Sequence, residues 1–331
     1  MAQSLYLFRA GWLRRAQNTL LLQDSTGQKH HLPVETIRDL FAMGPLRLSA
    51  STLRFLGQKG IPVHFFTHYG TYAGTYWPRQ RHTSGQLVIT QVQHALDPEK
   101  RLSIARQIVS GAIQQMRKNL LYYQQRGRDF SALLDYIAQR EAHLPHTQSL
   151  AELMGEEGKV RSAYYQAWQA ILGLPEPFLR SRRPPATLPN ALLSFLNTLL
   201  YTATLSELYH TPLHPGISFL HEPSTRRFSL ALDLAEPFKP LLVDRLLFRL
   251  LNRSELTQAD TEPLKHLPGV FLKEEARKKV IRAWAEQLQT TIQHRRLRRS
   301  VSYRQLLRYE AYKLMRHLLG IEPYQAFRAW W

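Results

Sequence analysis

The sequence predicts an α+β protein: a small N-terminal β-sandwich-like domain over residues 1–84, then a larger all-α domain over residues 85–331. Three observations predict it. The first eighty residues break into short β-branched and aromatic runs separated by turn residues. A polar stretch, Arg79-Gln80-Arg81-His82-Thr83-Ser84-Gly85, then ends that pattern. Beyond it, apolar residues recur at helical spacing.

Taken in order, residues 4–8 and 19–23 are apolar runs, and Asp24-Ser25-Thr26-Gly27 is a turn cluster. Residues 49–59 carry helical spacing through Leu53 and Leu56 and stop at Gly60. Residues 61–67 and 71–77 are β-branched and aromatic, joined by a turn at Tyr69-Gly70. The plain reading of this part is an interaction or dimerisation module. After the linker, Asp97-Pro98 reads as an N-cap followed by proline at the first helical position. Ile104, Ile108, Ala112, Met116 and Leu120 then recur every four residues, which marks a long amphipathic helix. Ser149 and Glu152 have capping-box spacing. Further helices are expected over residues 155–172, 188–209, 230–251, 272–294 and 302–319.

Composition narrows the function. There is no cysteine, which removes disulfide scaffolds, thiolate zinc sites, iron–sulfur clusters and cysteine nucleophiles together. An apolar fraction of 44% is that of a globular protein, not of a disordered basic tail. Lys and Arg number 44 against 25 Asp and Glu, a net charge of +19, and a folded protein so basic has a polyanion as its expected partner. Residues 1–80 carry 9 basic and 3 acidic residues and residues 265–331 carry 15 and 5, so the middle holds only +3. The N-terminus has no apolar run behind a basic start. The longest charge-free stretch, residues 184–206, is broken by Pro189, Asn190 and Asn197 and reads as a buried helix, not a membrane span. The expected location is the cytoplasm, without membrane association.

In so basic a chain, acidic residues with apolar neighbours stand out. Gly155-Glu156-Glu157-Gly158 precedes Tyr164, Tyr165 and Trp168, although a glutamate in the first turn of a helix ordinarily serves the helix dipole. His221 ends the apolar step Phe219-Leu220, where a single imidazole is ordinarily a structural, hydrogen-bonded residue. Asp233 and Glu236 lie three apart, on one helix face, inside a strongly apolar sequence. Two carboxylates on a buried face cost free energy unless paired or metal-bound. Ion pairs to arginine are the plain alternative. Pro237 and Pro240 disturb that helix locally. Two carboxylates and one imidazole suit a divalent ion, magnesium or manganese, with positions open to water and phosphate oxygens. Spacing alone does not bring the three together.

These residues resemble a known family, the CRISPR-associated integrase and endonuclease of spacer acquisition, the first-numbered protein of the Cas series. The resemblance covers essentially the whole chain. It runs through LYLFRAGWLRR, LPVETIRDL, LRLSASTLRFLGQKGIPVHFF and GTYAGTY, then DPEKRLSIARQIV, LMGEEGKVRSAYYQAW and LPNALLSFLNTLLY. Its most specific block is HPGISFLHEPSTRRFSLALDLAEPFKPLLVDR, which joins the histidine, the Asp–Glu step and VDR. The resemblance implies metal ligands at Glu157, His221 and Glu236, a supporting acid at Asp233 and a basic residue near the scissile phosphate at Lys239. Asn190 matches the Asn that opens the family's central helix and takes a supporting, DNA-side role. His214 and Ser218 stand where many relatives have Asp and Gly, which affects the approach to the site more than its ligands.

The resemblance further implies a Mg2+- or Mn2+-dependent enzyme that joins 3′-hydroxyl ends of short double-stranded DNA fragments to CRISPR repeat DNA. The reverse reaction and the hydrolysis of branched DNA would use the same site. It implies dimerisation through residues 1–84, a metal-binding catalytic domain over residues 85–331, and a heterohexamer with a small companion, the second-numbered Cas subunit. The alternatives are the integrase of a mobile element, or a non-catalytic basic protein that holds nucleic acid. The latter would use the run Arg295, Arg296, Arg298 and Arg299, with Arg304 and Arg308, on a basic helix. Such charge runs are commonly just solvated faces.

Overall fold

In the first of two compact units, Met1–Thr83 with Tyr209–Pro212, eight short strands and one helix enclose a core of leucines. The computed structural model describes residues 2–80, 82–223, 228–264 and 268–331, so Arg81 of the expected linker lies outside the described residues. The elements are β1 (Gln3–Leu7), β2 (Gly11–Ala16), β3 (Thr19–Asp24), β4 (Lys29–Leu32), β5 (Ile37–Ala42), β6 (Leu46–Leu48), α1 (Ala50–Lys59), β7 (Val63–Phe66) and β8 (Tyr72–Tyr76). Two four-stranded sheets result, ordered β1-β5-β7-β8 and β4-β3-β2-β6. Both are mixed: β5 runs parallel to β1 and β7, and β2 runs parallel to β6 but antiparallel to β3. Leu7, Leu40 and Val63 from one sheet meet Leu13 and Leu20 from the other, with Phe55 and Leu56 of α1 completing the core. The helix starts where the Ser49 hydroxyl accepts the Thr52 N–H and stops at Gly60, whose φ of 70° suits a residue without Cβ.

The second unit, Ser84–Leu208 with Leu213–Trp331, is mainly helical. Its helices are α2 (Gly85–Leu96), α3 (Pro98–Gln124), α4 (Ser131–His143), α5 (Leu150–Leu172), α6 (Leu188–Tyr209), α7 (Ser229–Ala235), α8 (Arg245–Asn252), α9 (Glu274–Gln289) and α10 (Tyr303–Leu318). Asp97 caps α3 by accepting the Glu99 and Lys100 N–H groups at 3.1 and 3.0 Å. The five apolar residues spaced by four along it are all buried. Ser149 likewise caps α5 through the Glu152 N–H, but the Glu152 carboxylate accepts from Gln148 and so closes no reciprocal box. No described helix is long and apolar enough to cross a membrane.

The α+β architecture is the expected one, with two details added. The larger, helical unit also holds two short antiparallel strand pairs, β9 (Thr261–Pro263) with β10 (Val270–Leu272) and β11 (Thr291–His294) with β12 (Arg299–Ser302). The helix expected to reach residue 294 therefore ends at Gln289, and the arginine run is the turn of a β-hairpin and the first residue of its second strand, not a helix face. The β-branched Thr290-Thr291-Ile292 favours extended backbone there, and Arg298 takes the left-handed turn conformation at φ 50°.

The stretch over residues 230–251 is helical but not one regular helix. After α7 the chain tightens into a 3-10 turn, Glu236–Phe238, then loosens into a π-helical turn, Lys239–Asp244, before α8. Pro237 and Pro240 bring no N–H to the helical ladder, so neither can close the usual i→i−4 bond. The Asn119 side chain of α3 donates to the Pro240 carbonyl at 2.9 Å and anchors the irregular turn. Packing against α3 is close. A Cβ on Gly111 would come within 2.9 Å of the Ala326 Cβ and 3.3 Å of the Pro237 Cβ.

Candidate metal centre

Three segments of the second unit meet around one buried carboxylate. Glu236 sits in the 3-10 turn with a side chain only 8% exposed. One of its oxygens accepts from Arg161 Nη2 at 3.0 Å, and the other accepts from Lys239 Nζ. Arg161 lies one helical turn after Glu157 on α5 and also donates from Nε to the Glu157 carboxylate. One guanidinium thus bridges two carboxylates from different segments.

The third segment carries His221, on the irregular chain before α7. Asp233, fully buried, accepts the backbone N–H groups of Phe219, Leu220 and His221 at 2.6, 2.9 and 2.9 Å. It also accepts from His221 Nδ1 at 2.8 Å. That bond fixes the ring and turns Nε2 toward Glu236 Oε1, 3.8 Å away. A carboxylate behind an imidazole is the usual way a metal-binding histidine is oriented. The loop is fastened further by Gln91 of α2, which bonds to both backbone groups of His214 and to the Ile217 carbonyl. Arg101 of α3 holds the Phe219 carbonyl at 2.9 Å, and the Ser218 hydroxyl donates to the His221 carbonyl at 2.7 Å.

Electrostatics follow from this packing. Burial opposes ionisation of Glu236, yet Lys239, Arg161 and His221 hold its carboxyl at about 2. Burial also disfavours an imidazolium at His221, but Asp233 and Glu236 outweigh it and raise its pKa. Asp244, buried at the end of the π-helical turn, goes the other way. Burial pushes it up to about 7 despite Arg161, Tyr164 and Lys239.

His221, Asp233, Glu236 and Lys239 therefore come together, and Glu157 joins them through Arg161. Asn190 does not face outward. It is 1% exposed, and its amide bonds Ser181 N, Leu179 O, the Thr187 hydroxyl and Arg180. Every polar position of the amide is spent on fastening the loop before α6, which is a supporting role. Arg295, Arg296 and Arg298 lie exposed on the hairpin turn, and Arg299, also exposed, opens β12. Arg296 pairs with Glu322, Arg295 donates to the Trp330 carbonyl and Arg299 donates to the Tyr309 hydroxyl. Arg304 and Arg308 point inward, both onto the buried Glu207, and so are not a phosphate-facing pair.

Arg161, Gln91, Arg101 and Asn119 were not singled out from the sequence, and Asp244 was noted only as the acid of the VDR step. Of the residues not singled out, Arg161 alone left a signal, its i,i+4 spacing from Glu157.

Among the described residues no three His, Asp or Glu side chains close into a ready-made metal cluster. The donor chemistry nevertheless fits a divalent ion. His221 Nε2 and Glu236 Oε1, 3.8 Å apart, are too far apart for a hydrogen bond but within the span of about 4.2 Å that two ligands each about 2.1 Å from a shared ion can have. Two carboxylates held by cations are groups that a metal ion would also hold.

Comparison with known proteins bears on the whole chain. The family described as "CRISPR associated protein Cas1" matches residues 5–286. A CRISPR-associated endonuclease Cas1 of Fusobacterium nucleatum is 40% identical over 100% of this chain and 98% of its own length. One from Moorella thermoacetica is 43% identical over 99% and 100%. Among solved structures, a Cas1 protein from Thermotoga maritima superposes with a TM-score of 0.86 at 35% identity, covering 98% of this chain and 100% of that one. A casposase bound to integration product has the same fold, with a TM-score of 0.87 at 20% identity, over 98% and 92%. A sequence match spanning most of the chain and full-length relatives at about 40% identity place this chain in the CRISPR-associated Cas1 family.

Proposed function

We propose that the protein is the endonuclease and integrase of CRISPR adaptation, joining 3′-hydroxyl ends of short DNA duplexes to the repeat of a CRISPR array. The observation that carries this reading is the imidazole locked by Asp233 with its free nitrogen turned to Glu236. Full-length relatives named as endonucleases support it. Glu157, His221 and Glu236 would hold a Mg2+ or Mn2+ ion. When bound, such an ion polarises a phosphodiester and offsets the charge that develops during in-line displacement.

The chain's own groups divide the remaining work. Asp233 holds the Nδ1 proton, so in the neutral ring the lone pair lies on Nε2, facing Glu236. The Lys239 ammonium, 22% exposed beside Glu236, is positioned to hold a non-bridging phosphate oxygen. The attacking group is a DNA hydroxyl, so no side-chain nucleophile is needed and the lack of cysteine costs nothing. The exposed hairpin arginines supply phosphate contacts away from the reacting bond. A homodimer formed through the first unit, and assembly with the small second-numbered Cas subunit, complete the reading. The TM-score of 0.85 to a chain of a Cas6-RT-Cas1–Cas2 complex speaks for a shared fold at 22% identity.

The test is strand transfer of an end-labelled duplex into a supercoiled plasmid bearing a repeat. Activity should require added Mn2+ or Mg2+ and stop with chelator. Transfer that survives exhaustive chelation would sink the metal-dependent reading, and DNA binding without any transfer or cleavage would favour the non-catalytic one.

A further inference from the structure

Arg161 does more than a surface ion pair can. Its guanidinium is 16% exposed and donates to carboxylates from two segments, Glu157 on its own helix and Glu236 on the 3-10 turn. Burial opposes its charge, but the two carboxylates raise its pKa well above the ordinary value, so it stays charged. Lys239 occupies the remaining oxygen of Glu236. The two glutamates therefore contribute two negative charges, and Arg161 and Lys239 contribute two positive ones. The two carboxylate ligands are thus neutralised by the two cations that hold them.

A divalent ion entering beside these two cations leaves an excess of positive charge in a partly desolvated site, even with the Asp233 carboxylate counted, which is costly. A phosphodiester strand laid beside it removes much of that excess. Resting on the metal-site reading above, we infer that Arg161 makes cation loading depend on DNA: ion and DNA bind cooperatively because the guanidinium holds ion affinity down until a phosphate arrives. Reciprocity then requires the ion to tighten DNA binding by the same factor.

The experiment is a Mn2+ titration of the full-length protein followed by the EPR signal of free Mn2+, with and without a saturating short duplex and corrected for Mn2+ bound by DNA alone. Wild type should bind Mn2+ at least about tenfold more tightly with DNA present, within the usual range of coupling between sites. Arg161→Gln should bind Mn2+ more tightly than wild type without DNA, and its coupling should shrink to less than about threefold. Arg161→Lys, which keeps the charge, should restore the wild-type pattern. Lys239→Gln should shift free-protein affinity in the same direction as Arg161→Gln by less, and carries the test should Arg161→Gln not fold. DNA affinity by fluorescence anisotropy, with and without Mn2+, must give matching coupling factors. Equal Mn2+ affinity without DNA in wild type, Arg161→Gln and Lys239→Gln would overturn the inference, as would Arg161→Lys behaving like Arg161→Gln. The underlying site fails differently: Mn2+ binding unchanged in His221→Ala would remove the site itself.

Discussion

Glu207 and Glu236, both buried in the helical unit, are each held by two cationic side chains, yet only Glu236 builds a site. Glu207 on α6 is 1% exposed, and its two oxygens accept from Arg304 and Arg308 at 2.7 Å each. Glu236 is held by Arg161 and Lys239. What separates them is the third neighbour. Glu236 faces an imidazole nitrogen at 3.8 Å, and its arginine is shared with a second glutamate. Glu207 ties α10 to α6 with both side-chain oxygens committed to arginines rising from a single helix. A buried, paired carboxylate is therefore a fold element by default, and an oriented histidine plus a second acid is what turns it into a centre for chemistry.

Replacing each member of the two clusters sharpens that contrast. His221→Ala should lower strand transfer by about 10²–10³-fold, the scale of losing one oriented group from a preorganised site, while DNA affinity stays near wild type. Glu207→Gln should do the opposite. Leaving two partly buried arginines short of a charge partner costs about 1–3 kcal/mol, read from the urea midpoint, with transfer per folded molecule unchanged. A Glu207→Gln protein that is fully stable but inactive would erase the distinction. Asp233→Asn should come next, about 10–100-fold weaker in activity or cation affinity, seen chiefly as a higher half-saturating Mn2+ concentration.

The smallest effects are in pH. The Glu236 carboxyl, near 2 when folded and 4.5 as a free group, adds stability above pH 4.5 that is lost as pH falls toward 2. Asp244 has the reverse sign. Its folded value near 7 exceeds the ordinary 3.8, so its contribution worsens as pH rises from about 4 to 7. Asp244→Asn should flatten that arm of the stability curve and Glu236→Gln the acidic arm, measured by denaturant midpoints at each pH. Identical curves for all three proteins would refute both assignments.

How much could be read without coordinates differs between the same kinds of residue. The long α3 was legible because a proline-backed cap and five apolar residues spaced by four agree with each other. Strands β4 and β6 were not: Lys29-His30-His31-Leu32 and Leu46-Arg47-Leu48 are short, polar edge strands, and only pairing with β3 and β2 defines them. The hairpin at the arginine run was hidden because the helical spacing of α9 runs straight into it, and only the β-branched residues after Gln289 hint at the change. At the site, Asp233 and Glu236 could be seen as acids on an apolar face. The bonds that fasten the chain leading to His221 come from Gln91 and Arg101, more than a hundred positions away from it, and no local pattern marks them. Asn190 shows the limit most plainly. Its position at the start of α6 was right, but only packing reveals that its amide is spent inside.

The central claim is that Glu157, His221 and Glu236 form a cation site. Anomalous diffraction at the manganese edge, from crystals of the protein bound to a DNA duplex and soaked in Mn2+, tests it most directly. The account predicts a peak bonded to His221 Nε2 and to carboxylate oxygens of Glu236 and Glu157. Saturating Mn2+ that supports strand transfer yet leaves no peak at His221 would contradict it.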